Sequence, residues 1–323
     1  MWYPHKSAGP ASSVLYAALA KRFFRTDRPR VAMIRRIRMA FAARAVAACL
    51  LLVVVVASAG PFLKARGIQI GYCARLNEID AAKAAGFDYV ELRTSEIAAL
   101  SDDEFEKLRA KLRRLELPAP VTYLFIPGSI KLTGPAIDKR QQMDYVTRAF
   151  DRVSRLGASV ITFGSGAARQ IPDGFSKQEA FNQLVEFCKR IAPEARTRKL
   201  TIAIEPQRRQ ECNIINSVAE ALELVTAVND SVVQLMVDFY HLSEEKEDAA
   251  VIVKARKHIR HLHIANPVGR VVPLNRDEYD YGPFFENLKK IGYEGRISVE
   301  TGAPDVSINA RQSIAFLRAA FSR

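Results

Sequence analysis

The sequence predicts an α/β domain of eight parallel strands, each followed by a helix, closing on itself over residues 67–323 behind a leader at 1–66. Three observations carry this. Strand-like and helix-like segments alternate eight times over a length suited to a closed barrel. The strands are near-continuous apolar runs rather than polar/apolar alternations, as expected where helices cover the outer face of a parallel sheet. A doubly wound open sheet is the main rival, but IGYCAR stands after the first strand where a GxGxxG turn would be, and no Walker A motif occurs. The fold class is therefore a single-domain (β/α)8 TIM barrel.

The elements follow in order. GIQIGYC (67–73) is a strand, and 77–86 is a helix ended by Gly86; DYVELR (88–93) is a strand, and 101–115 a helix with Ser101 as N-cap and acids in its first turn. APVTYLFI (119–126) is followed by a helix at 138–156, and ASVITF (158–163) by a long helix at 176–198. TIAIEP (201–206) precedes a helix at 217–229, and VVQLMVDF (232–239) one at 247–258. HLHIAN (261–266) leads to a helix at 283–291, and RISVET (296–301) to the closing helix at 307–321. FGSGAAR (163–169), after the fourth strand, reads as a turn, with a backbone cradle for a hydroxyl or phosphate as the alternative.

The leader has its own signature. Residues 45–59, AVAACLLLVVVVASA, carry no charge and follow Arg35, Arg36, Arg38 and Arg44. Such a run is short for a membrane span and suits a signal peptide, with Ala57-Ser58-Ala59 as the small-residue cleavage pattern. The expectation is export to the periplasm or medium, or anchorage to a membrane through 45–59. Met33 would be a more ordinary signal-peptide start than Met1. The net charge of +13 is concentrated here, because residues 1–66 hold twelve Lys/Arg and one acid, Asp27. The rest of the chain is nearly neutral, so the electrostatic case for nucleic-acid binding fails. Cys49, Cys73, Cys188 and Cys212 form no CxxC pair; Cys49 leaves with the leader, and the other three read as buried thiols rather than a disulfide framework or zinc finger.

Chemistry in this fold sits where strands end. Glu205, Asp238, His263 and Glu300 stand at or near the ends of strands five to eight. Side chains alternate along a strand, so Ile204, Val237, Ile264 and Val299 face the helices and the four polar residues face inward at one rim. Three carboxylates brought together would repel, and a divalent cation resolves the repulsion. An oxygen-rich set with one imidazole suits Mn²⁺ best, with Mg²⁺, Co²⁺ or Zn²⁺ as alternatives. Glu91 ends strand two with the same inward parity and is a further candidate for contacting substrate. His261, one layer deeper, reads as a core histidine.

The motifs IEP (204–206), DFYH (238–241), HLHIAN (261–266) and SVET (298–301) resemble, in order, those of the xylose isomerase-like TIM barrels, a superfamily of sugar isomerases and epimerases, inosose dehydratases and endonuclease IV. The resemblance covers residues 67 to 320 and is nearest to ketose 3-epimerases and hydroxypyruvate isomerases. It implies that Glu205, Asp238, His263 and Glu300 bind one metal and that Glu211, His241 and Arg270 contact substrate. A three-zinc nuclease site lacks ligands, since the histidines are His5, His241, His258, His261 and His263. The loop GRVVPLNRDEYDYG (269–282) departs from the PGxG segment of the epimerases, which leaves the sugar open.

The expected activity is metal-dependent proton transfer on a keto sugar through an enediolate, with Glu205 and Glu300 as acid and base. Epimerisation, aldose–ketose isomerisation and loss of a β-hydroxyl by a lyase or dehydratase all pass through that species. A non-enzymatic metal- or sugar-binding barrel is the other class. Arg208 and Arg209 are candidates for holding a phosphate, were the sugar phosphorylated. The partners expected are a small carbohydrate and no nucleic acid, with membrane contact only through the N-terminal segment and a homo-oligomer possible.

Overall fold

The computed structural model describes residues 67–302 and 309–322. The expected leader and its apolar stretch at 45–59 lie outside the described residues. Eight strands, β1 (Gln69–Ala74), β2 (Tyr89–Arg93), β3 (Val121–Tyr123), β4 (Val160–Phe163), β5 (Thr201–Ile204), β6 (Val233–Asp238), β7 (Ile259–Ile264) and β8 (Arg296–Val299), pair in sequence order. All the pairs are parallel, and β8 returns to β1 to close the barrel.

Eleven helices are described: α1 (Ile79–Ala85), α2 (Thr94–Ala99), α3 (Asp102–Arg114), α4 (Lys139–Leu156), α5 (Gly166–Arg169), α6 (Lys177–Thr197), α7 (Val218–Val228), α8 (Phe239–Glu244), α9 (Val251–Ala255), α10 (Gly282–Lys290) and α11 (Ala310–Phe321). The three beyond expectation, α2, α5 and α8, directly follow or lie just beyond β2, β4 and β6. They have four to six residues, too few for a 3.6-residue period to show in sequence. The helix expected over 247–258 shrinks to the five residues of α9.

Local chemistry explains the longer helices. Ser101 and Glu104 form a reciprocal capping box on α3. Asp138, Ser176 and Ser217 accept first-turn backbone N–H groups of α4, α6 and α7. Gly86 and Gly157 leave α1 and α4 with φ of 95° and 94°, a left-handed exit that a side chain would strain.

Strand alternation divides the buried residues in two. Ile70, Val90, Ile161, Ile202, Ile204, Val237, Leu262 and Ile297 join the apolar layer under the helices. Inside the barrel, Tyr89, Glu91, Thr162, His261, His263 and Ser298 form a polar network. Gly71 makes room for it: a Cβ there would lie 2.2 Å from the Tyr89 ring. Cys73, Cys188 and Cys212 are free and buried, as read from the sequence.

Candidate metal centre

Asp238 ends β6 and caps α8. Its Oδ1 accepts the Tyr240 backbone N–H at 2.8 Å, while Oδ2 is buried without a hydrogen-bond partner. Glu205 follows β5, its backbone N–H bonded to the Phe163 carbonyl at 3.2 Å and its own carbonyl held by Arg169 Nη2 at 2.7 Å. Glu300 follows β8 and donates its backbone N–H to the Ile264 carbonyl at 3.1 Å. From β7, His263 Nδ1 lies 3.3 Å from Glu205 Oε1 and 3.5 Å from Glu300 Oε2, without hydrogen-bond geometry to either. One ligand atom from each of Glu205, Asp238, His263 and Glu300 lies within 4.8 Å of every other.

Three of these atoms, Glu205 Oε1, Asp238 Oδ2 and His263 Nδ1, are buried and unpartnered. A buried polar atom left unpaired costs about 1–3 kcal/mol, and three converging on one point ask for a common partner. A cation serves two carboxylate oxygens and an imidazole nitrogen together, so the donor set fits a divalent metal. The electrostatics agree. Burial, reinforced by the Glu300 charge, pushes the Asp238 carboxyl up to about 7. Burial also raises Glu205. It works the same way on Glu300, but the His263 ring and the Arg270 guanidinium outweigh it and hold that carboxyl at about 2.

Above the four residues lies a charged rim. Arg270 Nη2 donates to Glu300 Oε2 at 2.8 Å and Nη1 to Glu211 Oε1 at 3.1 Å, while the guanidinium rests 4.5 Å from the Tyr240 ring centroid. Its backbone has a φ of 49°, and the loop is fixed by Asn266 N–H to the Val271 carbonyl and Gly302 N–H to the Arg270 carbonyl, at 2.8 and 2.9 Å. His241 is buried beside Asp238, with its Nε2 3.5 Å from Asp238 Oδ2. The structure thus brings Glu211, His241 and Arg270 to the same rim as the four ligand-type residues.

Glu91 is elsewhere. It is fully buried beneath His263, and both its oxygens are occupied by His261, His263, Thr162 and Ser298. The expectation of a direct substrate contact from Glu91 therefore does not hold, because strand parity gives the facing of a side chain but not its depth. The reading of Arg208 and Arg209 as phosphate holders also weakens. Arg208 bonds Glu211 and Glu244, each at 2.9 Å, and Arg209 is paired with Glu245.

Sequence reasoning missed three contributors. FGSGAAR is not a plain turn: Ser165, at φ 48°, leads into α5, whose Arg169 is buried and bonds the carbonyls of Phe163 and Glu205. Gly164 gives Glu205 its space, since a Cβ there would fall 2.1 Å from Glu205 Oε2. Tyr240 is the platform for both Arg270 and Arg208. An aromatic inside DFYH was the only visible signal for these, as the other two depend on how a loop folds over its neighbour.

Comparisons with known proteins agree with this architecture. The model of the family described as xylose isomerase-like TIM barrel matches residues 79–320. A probable ketose 3-epimerase of Synechocystis sp. is 27% identical over 231 residues, covering 68% of this chain and 76% of that protein. The 3-dehydro-D-guloside 4-epimerase of Escherichia coli is 25% identical over 247 residues, covering 73% and 91%. The solved structure of D-allulose 3-epimerase from Methylomonas sp. superposes with a TM-score of 0.68 at 22% identity, covering 79% of this chain and 98% of that one. With the match spanning most of its length, the chain belongs to the xylose isomerase-like TIM barrel family.

Proposed function

We propose that the chain is a divalent-metal-dependent epimerase that inverts a carbon next to the carbonyl of an unphosphorylated keto sugar or keto-glycoside. The observation that carries this is the pair Glu205 and Glu300, whose carboxyls reach one buried point from the ends of β5 and β8. Two carboxyls converging on one point suit an acid and a base. A divalent ion, Mn²⁺ by the chemistry of the donors, would be held by Glu205, Asp238, His263 and Glu300 and would supply Lewis-acid stabilisation of charge developing on the carbonyl oxygen.

The remaining work belongs to the chain's own residues. One of Glu205 and Glu300 removes the proton beside the carbonyl and the other returns one from the opposite face, through an enediolate of the sugar. Arg270 keeps Glu300 ionised and aimed. His241 accepts the Arg208 backbone N–H at Nδ1, 3.2 Å away, which leaves its protonated Nε2 to donate toward the site. Glu211 and Arg270 offer an acceptor and a donor for sugar hydroxyls at the mouth. Arg208 and Arg209, engaged with Glu211, Glu244 and Glu245, leave no spare cation on this loop for a phosphate. The relatives' names support the same reaction class: a ketose 3-epimerase and a 3-dehydro-glycoside 4-epimerase each invert the carbon beside a carbonyl.

The test is solvent exchange. Purified protein loaded with Mn²⁺ is incubated with ketoses and 3-keto-glycosides in D₂O, and NMR reads deuterium at the carbon next to the carbonyl after the metal is stripped. Metal-dependent deuteration with inversion is expected. A β-eliminated product would instead identify a lyase, and binding without exchange would identify a sugar-binding barrel.

The apolar run at 45–59, with its basic flank, leads us to place this activity outside the cytoplasm, in exported or membrane-anchored form. Fractionation of expressing cells, with mass spectrometry of the mature N-terminus, tests that; a cytosolic chain retaining 45–59 would overturn it.

A further inference from the structure

Beneath the candidate metal centre lies a charge that the reaction does not use. Glu91 reaches into the barrel from β2 and is fully buried. Its Oε1 accepts from His263 Nε2 at 3.1 Å and Thr162 Oγ1 at 3.2 Å. Its Oε2 accepts from Ser298 Oγ at 2.6 Å and His261 Nε2 at 2.7 Å. Ser298 in turn accepts from Tyr89 Oη at 2.9 Å. Donors from β4, β7 and β8 thus fill both oxygens of one carboxylate.

That arrangement constrains His263. A carboxylate accepts and does not donate, so the ring nitrogen facing Glu91 must carry the proton. With that proton on Nε2, Nδ1 is the nitrogen that faces Glu205, Asp238 and Glu300 and is left to a cation. The ring plane is fixed as well, because His261 stands against it edge-on, with centroids 5.1 Å apart and an interplanar angle of 88°. His261 is itself tied to the other oxygen of Glu91.

We propose that Glu91 is the positioning residue of the metal centre: from the floor of the barrel it selects the tautomer and orientation in which His263 presents Nδ1 to the cation. His261, Thr162 and Ser298 hold the Glu91 carboxylate in the pose that does this. The inference rests on the metal-centre reading of Glu205, Asp238, His263 and Glu300, and it adds a residue that never touches metal or sugar. Partners of this kind behind a ligating imidazole raise its basicity, and losing one weakens metal affinity about 10–100-fold.

Two measurements test it. In the first, full-length protein with ¹⁵N-labelled histidine is loaded with Zn²⁺, a diamagnetic probe, and long-range ¹H–¹⁵N spectra assign the His263 nitrogens. We expect a proton on Nε2 and metal on Nδ1; metal on Nε2 would overturn the proposal. In the second, Mn²⁺ affinity is titrated for wild type, Glu91→Gln and Glu91→Asp, with circular dichroism to check the fold. Gln keeps the shape but can turn its amide N–H₂ toward His263, and Asp keeps the charge but draws it back by a methylene. Each is expected to bind Mn²⁺ about 10–100-fold more weakly than wild type. Folded variants with wild-type affinity would overturn the proposal. Failure of wild type itself to bind Mn²⁺ or Zn²⁺ would instead sink the metal-centre reading, so the two failures are distinct. The tautomer measurement needs no variant and holds even if both substitutions fail to fold.

Discussion

Arg270 Nη2 donates to Glu300 Oε2 across 2.8 Å while the same guanidinium lies over the Tyr240 ring, 4.5 Å from its centroid. The cation thus has an aromatic floor on one side and the carboxylate at its edge, and its second arm reaches Glu211. A fork held at three points fixes Glu300 more tightly than a point charge could.

Replacement of Arg270 by Lys keeps the charge and loses the fork. The expected result is a fall in kcat/KM of about 10²-fold, comparable to removing one oriented donor from an active site. Arg270→Ala should do more to the pH profile. The His263 ring and Arg270 together hold the metal-free Glu300 carboxyl down to about 2. At Mn²⁺ concentrations that keep the site full, activity that requires its carboxylate is lost as pH falls through the Glu300 pKa, so without Arg270 the acid limb of kcat/KM moves to higher pH. An unmoved acid limb would remove Arg270 from this role.

Asp238 predicts how metal uptake depends on pH. Burial and the Glu300 charge push its carboxyl up to about 7, so the metal-free site holds a proton there below neutrality. A cation must displace that proton. Mn²⁺ affinity should therefore weaken as pH falls below 7, and binding near pH 6 should release the Asp238 proton together with that of His263, whose pKa is also raised in the metal-free site. Calorimetry in buffers of different ionisation enthalpy measures the release directly. Asp238→Asn should bind far more weakly and release one proton fewer, leaving the His263 contribution to the pH dependence.

Gly164→Ala tests the geometry of Glu205. The new methyl would sit 2.1 Å from Glu205 Oε2 and 2.6 Å from Gln207 Nε2. Both are the far ends of flexible side chains, so the barrel can absorb the change at a stability cost of about 1–3 kcal/mol. The ligand cannot stay in place. A folded protein with a modest drop in Tm and lost Mn²⁺ binding is the expected outcome, read by thermal melts and metal titration.

Strand order, the inward-facing residues and the four-residue constellation were legible because a buried parallel strand alternates its side chains strictly. Once Ile204 and Val299 face the helices, Glu205 and Glu300 must face the axis. Depth was not legible. The strands of a barrel are tilted and staggered, so Glu91 shares its facing with Glu205 yet lies under His263. The short helices also escaped, and with them Arg169, whose bond to the Glu205 carbonyl depends on α5 turning it back over β5. Glu211 and Arg270 came through family resemblance rather than periodicity, since they lie in loops where no repeat marks them.

His241 supplies the last prediction. A histidine beside an acid in a reaction centre suggests a titration near pH 6.5, but burial draws this one down to about 3. It therefore stays neutral through the working range. The Arg208 backbone N–H occupies Nδ1 at 3.2 Å, so the imidazole proton sits on Nε2 and points toward Asp238 and the site. In that state His241 is a hydrogen-bond donor, not an acid or base. His241→Asn keeps a donor at a shorter reach, and kcat/KM should fall by about 10-fold, with His241→Ala about 10²-fold lower than wild type, in line with a lost buried hydrogen bond. Neither substitution should add or remove a limb between pH 5 and 8 in the kcat profile. Disappearance of such a limb in His241→Asn would show that the ring does titrate during turnover and would assign it proton transfer instead.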